Sequence, residues 1–405
     1  MDRSRLAETA GTTGAIARAV AAHEQAVVEL SRTIHRLPEL AFTEHRAARA
    51  VTELLARAGF AVEAGAGDLP TAFTATVGQG PVTVAICAEY DALPTIGHGC
   101  GHHLIAGAAV AAALGLQPVA DDLGLRVKVV GTPAEEHGGG KVVLLERGVF
   151  DDVDLALMVH PLPRNHGYNP RGTTSQAVGR YRATFSGRGA HAAAAPQRGV
   201  NAADAAVVAQ VAIGLLRQQL PADHRVSAVV AHGGDATNII PETAIVDFEC
   251  RAFTMPEFDD LYGRVRRCFE AGALATGATL RIEPTEPVYE PLTHDDVLCR
   301  HWEGALATLG YDTTPGGAPR GGSTDMGNVS RVVPSLHPWF SLPTTDAPIH
   351  TAEFAAAGDQ DAAYAAMLDA ATALALTAAS VVSAPEDVAA LRAARTALAQ
   401  SAGAM

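Results

Sequence analysis

Apolar positions recur at helical spacing over residues 16–35 and again over 43–58, with Pro38 separating the two runs and Gly59 placed to cap the second. Short apolar runs follow at 71–77, 82–87, 125–130 and 155–159, and the stretches 102–116 and 139–148 between them read as helices. Strands alternating with helices predict an α/β fold with a mainly parallel sheet covered on both faces. From Ala177 the rhythm changes. A strand (177–185), a helix (201–219), two strands (225–232 and 244–253), a helix (256–276) and a strand (279–284) follow in turn. That order is β-α-β-β-α-β, the split ferredoxin-like arrangement, and it predicts a self-contained small domain. After Glu290 the α/β pattern resumes with a helix at 294–309, a strand near 333–342 and a long helix at 358–383. The expected organisation is a larger domain in two parts, 1–176 and 291–405, with a lid or dimerisation domain, 177–290, inserted between them.

A chain of 405 residues exceeds one ordinary core, which agrees with two domains. Hydrophobic content of 48% against 18% charged residues describes a globular protein rather than a disordered one. A net charge of −14 with no basic stripe argues against nucleic acid and against anionic membranes as partners. The first twenty residues lack an apolar signal stretch, and the run 104–116 is too short to span a bilayer. The longer stretch 362–382 is interrupted by Asp369 and reads as a packed helix. Five cysteines without a closely spaced framework are expected to be reduced thiols in a cytoplasmic protein.

Candidate chemistry gathers at the ends of the expected strands, where α/β sheets bind ligands. After the run ending at Cys87 come Asp91, His98, Cys100, His102 and His103. Cys100 and His102 flank a glycine, so one turn can aim thiolate and imidazole at a single cation, with Asp91 available to fix the tautomer of a ligand histidine. After the run ending at Val130 come Glu135 and Glu136. Adjacent carboxylates at a strand end call for a cation, one binding it while its neighbour takes a proton from activated water. His160 closes another apolar run, and His350 sits in a loop before the last long helix. In the inserted domain, His191 could polarise a carbonyl, and Asn238 and Arg251 belong to its middle hairpin. The segment 138–141 is not a phosphate loop, because Val142 stands where Ser or Thr is needed.

Read together, 35–39 (His-Arg-Leu-Pro-Glu), 89–94 (Glu-Tyr-Asp-Ala-Leu-Pro), 97–102 (Gly-His-Gly-Cys-Gly-His), 131–136 (Gly-Thr-Pro-Ala-Glu-Glu), 191–196, 322–330 and 350–354 resemble the metallopeptidase and amidohydrolase family of aminoacylase, carboxypeptidase G and hippurate hydrolase. The nearest likeness is to the branch of aminobenzoyl-glutamate hydrolase, indoleacetyl-amino-acid hydrolases and related dipeptidases. The resemblance implies two divalent metal ions held by Cys100, His102, Glu136, His160 and His350, with Cys100 in the bridging position and Asp91 behind them. It implies Glu135 as general base, and His191 as a lid histidine serving the active site of the partner chain. It further implies that Asn238 and Arg251 hold a substrate carboxylate, and that the chain works as a homodimer. Zinc suits the donors best, with manganese, cobalt or nickel as alternatives. The expected activity is hydrolysis of N-acyl or N-aminoacyl amino acids, small amides with a free carboxylate. The alternatives are a dipeptidase or carboxypeptidase of the same family and, in another class, a non-catalytic metal- or ligand-binding homologue. His103 and His137 depart from the family pattern, where Asn or Asp and Gly are usual.

Overall fold

The computed structural model describes residues 3–164, 166–315 and 321–402. The chain begins with helices α1 (Arg3–Ala7), α2 (Gly11–His35) and α3 (His45–Arg57), then strands β1 (Ala61–Ala64), β2 (Phe73–Val77) and β3 (Val82–Ala88). Helix α4 (His102–Leu116), β4 (Leu125–Gly131), α5 (Gly140–Glu146), β5 (Leu155–Leu157) and β6 (His160–Pro163) follow. Next come β7 (Ala177–Ser186), α6 (Ala202–Leu216), β8 (Arg225–His232), β9 (Thr243–Ala252), α7 (Met255–Thr276) and β10 (Thr279–Pro284). The last part contains α8 (Asp296–Leu309), α9 (Met326–Ser330), β11 (Ser335–Leu336), β12 (Trp339–Leu342), α10 (Ala352–Gly358), α11 (Asp361–Val382) and α12 (Pro385–Ala402). Two units result. One takes the chain up to Thr174 and resumes at Leu292; the other takes Ser175–Pro291 together with Gly321–Ser323.

In the first unit a sheet runs in the order β1-β2-β4-β3-β5-β11. Its β4–β3, β3–β5 and β5–β11 pairs are parallel, and the antiparallel pairs lie at the β1 edge. Every residue of β3 is buried, as expected of a strand covered on both faces. Helix α4 is buried throughout its length. With the turn after it, α4 forms an 18-residue stretch, 89% buried, that is apolar enough to cross a membrane, as is the 22-residue α11, 78% buried. Both are core helices by their burial. The 104–116 run is therefore part of a longer apolar stretch than its sequence bounds suggest.

The expected strand near 333–342 is two short strands, β11 and β12, and its partner run is likewise split into β5 and β6. Both halves keep the same register, Leu157 against Leu336 and His160 against Trp339. Backbone bonds bridge the gap, from Met158 N to Leu336 O and from His160 N to Pro338 O, each 3.0 Å. Pro338 has no N–H to give, so one rung of the ladder is missing. His160 consequently opens a strand rather than ending one. The expected 358–383 helix is α11, one continuous helix, with the separate short helix α10 before it.

The second unit is an antiparallel sheet in the order β10-β7-β9-β8, with α6 and α7 packed together and against the sheet. Its core is apolar: Phe185, Phe248, Phe258, Phe269 and Ile213 are buried. Asn201 caps α6 by accepting from Ala203 N and Asp204 N, and Thr254 caps α7 through Glu257 N. On α6, Val207, Val211 and Leu215 recur every four residues and are 58%, 58% and 70% exposed. Val229 and Val230 of edge strand β8 are exposed as well.

Candidate metal centre

Parallel pairing of β3 with β4 sets Ala88 beside Gly131, so the segments that leave these strands start side by side. The first carries Glu89 and Asp91, and the second Glu135 and Glu136. Cys100 and His102 enter from the start of α4. Gly101 between them has φ 79°, and a Cβ there would lie 2.6 Å from Pro161 Cγ, so glycine is required by both backbone and space. Two non-glycine residues at the site also take left-handed backbone, Ala134 (φ 62°) and His350 (φ 66°). Such strained positions persist where the surroundings over-determine them. Here Ala134 N donates to Glu44 Oε1 at 2.9 Å and His350 N donates to Gly99 O at 2.7 Å.

The side chains converge in three groups, each with donor atoms within 4.8 Å of one another: Cys100, His102 and His160; Cys100, Glu136 and His350; and Glu89, His102 and Glu135. Cys100 belongs to the first two. Its Sγ is 3.3 Å from His160 Nε2, and His350 Nε2 is 3.5 Å from Glu136 Oε2. His102 Nδ1 donates to Asp91 Oδ1 at 2.8 Å, and His160 Nδ1 donates to Pro161 O at 2.7 Å, which turns both Nε2 atoms toward the cluster. Asp91 Oδ2 accepts the Glu136 backbone N–H at 3.0 Å, so one carboxylate orients two donors. Among the described residues, the buried atoms His102 Nε2, Glu136 Oε1 and Glu89 Oε2 have no hydrogen-bond partner. Orphaned polar atoms converging in this way fit a cation, and thiolate, imidazole and carboxylate suit zinc and similar ions.

Electrostatics point the same way. Burial opposes a charge on His102, but Asp91 and Cys100 outweigh it and hold the imidazole well above its usual range. Burial, then the Glu136 charge, pushes the Cys100 thiol well up. Burial followed by the His102 charge brings His160 down to about 4. Burial, then the charges of Glu89 and Glu136, raises the Glu135 carboxyl well above the usual range. A bound cation inverts this logic by favouring thiolate and carboxylate.

All five expected ligands, Asp91 and Glu135 thus lie together. His103 does not join them: it is buried beside His35 and His98, with Nε2 3.2 Å from Gly358 O. His137 is exposed. A cavity of about 840 Å³ lined by Tyr168, Tyr311 and Asp369 includes none of the donors. Glu89, Lys141 and Asp325 have no role that sequence reasoning assigns. Lys141 is fully buried, donating to Asp325 Oδ1 at 2.6 Å and to Glu89 Oε1. The available signal was scarcity, since the chain has two lysines, Lys128 and Lys141.

In the second unit, exposed His191 accepts at Nδ1 from Ala193 N and Ala194 N, both 3.2 Å, and Ala192 N donates to Asn238 O at 3.0 Å. His191 and Asn238 therefore share one end of this unit. Arg251 does not: it lies eight residues along β9 from Thr243, at the end where it pairs with Val178. An extended strand spans about 26 Å over that length, so Asn238 and Arg251 cannot meet on one small carboxylate within a single chain. Arg251 instead forks onto Glu249, with Nε to Oε1 2.9 Å and Nη2 to Oε2 3.3 Å.

Residues 174–275 match the family model described as a peptidase dimerisation domain. The chain is 40% identical over 374 residues to a Xaa-Arg dipeptidase of Mus musculus, covering 88% of this chain and 85% of that protein. It is 34% identical over 282 residues to a p-aminobenzoyl-glutamate hydrolase component of Escherichia coli, covering 65% and 58%. Among solved structures, a dinuclear metal-binding peptidase of Bacillus subtilis superposes with a TM-score of 0.62 at 22% identity, covering 86% of this chain and 98% of that one.

Proposed function

The chain belongs to the M20 family of peptidases, hydrolases of peptide and amide bonds, and from that premise we propose that it is a two-metal hydrolase of N-acyl or N-aminoacyl amino acids. The observation that carries the proposal is the pair of donor groups sharing Cys100, with Glu135 beside them. Cys100, His102 and His160 would hold one ion, and Cys100, Glu136 and His350 the other. Ions held there would supply Lewis acidity toward a scissile carbonyl and would lower the pKa of water toward neutrality. Glu135 accepts the proton of the attacking water on its carboxylate and delivers it to the leaving amine. Its buried place beside the donor groups suits it to take that proton and keep it from bulk water until the amine leaves. Asp91 keeps His102 and the Glu136 backbone in place throughout.

Dipeptides are the first substrate class to test, because the 40% identity to a Xaa-Arg dipeptidase covers most of both chains. Aroyl-glutamates follow, on the weaker likeness to the aminobenzoyl-glutamate hydrolase component. Zinc is the metal we favour, with manganese, cobalt and nickel as alternatives. We also assign a homodimer. The exposed stripe Val207, Val211 and Leu215, together with edge strand β8, supplies an apolar face and unpaired backbone for a second copy. A second copy would also let His191 and Asn238 of one chain and Arg251 of the other serve one substrate. The five free thiols fit a reducing compartment such as the cytoplasm.

The test is metal content of the purified protein together with turnover of Xaa-Arg and other dipeptides, aroyl-glutamates and N-acyl amino acids. We expect about two metals per chain, turnover lost to a chelator and restored by metal, and a preference among the panel. No metal after reconstitution would overturn the ligand assignment. Bound metal without hydrolysis of any panel member would favour a ligand-binding role.

A further inference from the structure

Glu89, Lys141 and Asp325 form a relay directly behind the donor cluster, and each is 0% exposed. Asp325 grips the lysine at both ends, accepting its backbone N–H at Oδ2 (2.8 Å) and its ammonium at Oδ1 (2.6 Å). The same ammonium donates to Glu89 Oε1. Among the described residues, Glu89 Oε2 is left without a hydrogen-bond partner, 3.5 Å from His102 Nε2, which also has none. That separation is too long for a sound hydrogen bond between them. Two buried, unsatisfied polar atoms facing each other are costly unless a third body lies between them. The charges agree. Two carboxylates face one ammonium, so the relay carries a net negative charge in a dry interior, which a cation on its open side would cancel.

We propose that Glu89 is a further ligand of the cation carried by His102, and that Lys141 and Asp325 are positioning residues that aim it there. The inference rests on the two-metal reading above and sharpens it. Glu89 shares His102 with the Cys100, His102 and His160 group while itself grouping with His102 and Glu135; drawn onto the ion, it would give the His102 side four protein donors. The His350 side offers three, Cys100, Glu136 and His350. A site with four protein donors is closed, and one with three keeps a position for substrate. The two ions are thereby unequal: the His102 side holds its ion tightly, and the other side exchanges.

The experiment is cobalt titration of the chelated full-length protein by equilibrium dialysis and visible absorption, for the unsubstituted chain and Glu89→Gln. Glutamine still accepts from Lys141 but loses its charge. We expect two binding classes in the unsubstituted protein. In E89Q the tighter class should weaken about 10- to 100-fold, with a changed cobalt spectrum and the weaker class unmoved. Two unchanged affinities and an unchanged spectrum would overturn the proposal while leaving the two-metal centre standing. If the unsubstituted protein binds no cobalt, the centre itself fails, and this inference with it. Should E89Q not fold, a crystal structure of the cobalt-loaded unsubstituted protein decides. A Glu89 oxygen within about 2.2 Å of an ion supports the assignment, and one beyond about 3 Å of both ions overturns it.

Discussion

The two units break the usual rule of interior and surface in opposite directions. The first buries polarity: Glu89, Asp91, His102, Lys141 and Asp325 are all but sealed from solvent. The second has an orthodox aromatic core and leaves Val207, Val211, Leu215, Val229 and Leu274 outside. Each departure marks what that unit is missing. Buried carboxylates converging on orphaned donors call for a cation, while an apolar helix stripe and an open strand edge call for another protein surface. On the reading proposed above, an ion fills the first deficit and a copy of the chain the second.

That contrast can be broken at several points. The largest effect is expected for Glu135→Gln, which should lower kcat about 10²- to 10⁴-fold with both metals still bound. Retained turnover in steady-state assays, with metal content checked in parallel, would remove Glu135 as the base. His191→Ala should cost about 10²- to 10³-fold if the lid histidine stabilises the oxyanion. Mixed dimers of H191A with E135Q should then recover activity, since one of their two sites regains both groups; no recovery would argue against service across the dimer. Val211→Asp tests the second unit alone: light scattering should show monomers with little change in thermal stability, because the side chain is exposed. Persistence of the dimer would move the interface elsewhere.

A smaller effect separates the units by acid. Burial lowers His294, in the first unit, to about 4. A histidine whose folded value lies below its unfolded 6.5 contributes stability above pH 6.5 that is lost as pH falls toward 4, on the order of 3 kcal/mol. Both tryptophans, Trp302 and Trp339, lie in this unit, so their fluorescence follows it through an acid titration. His294→Gln should shift the midpoint to lower pH, and an unmoved midpoint would show that other buried groups govern the transition.

How much of this was legible in the chain depended on distance along it. Period-two and helical patterning gave the order of elements in both units because it is local. Cys100 and His102 were readable for the same reason, two residues apart on one turn. The broken strand was harder: the apolar run 333–342 looks continuous, and only Pro338 hints at the missing rung. Lys141 reads as part of a failed phosphate motif, since its partners lie 52 and 184 residues away and spacing carries no trace of them. Asn238 and Arg251 show the opposite relation between sequence and space. Thirteen residues apart, they look like neighbours in sequence, and an extended strand carries them to opposite ends of the sheet.

The burial of Cys100 has a consequence for oxidation. With the ions removed, burial and the nearby Glu136 charge keep its sulfur protonated, and a protonated thiol is a poor nucleophile toward peroxide or disulfide. Loss of metal therefore retires the sulfur rather than arming it. Chelated protein left in air should regain its activity when metal is returned, without a reductant.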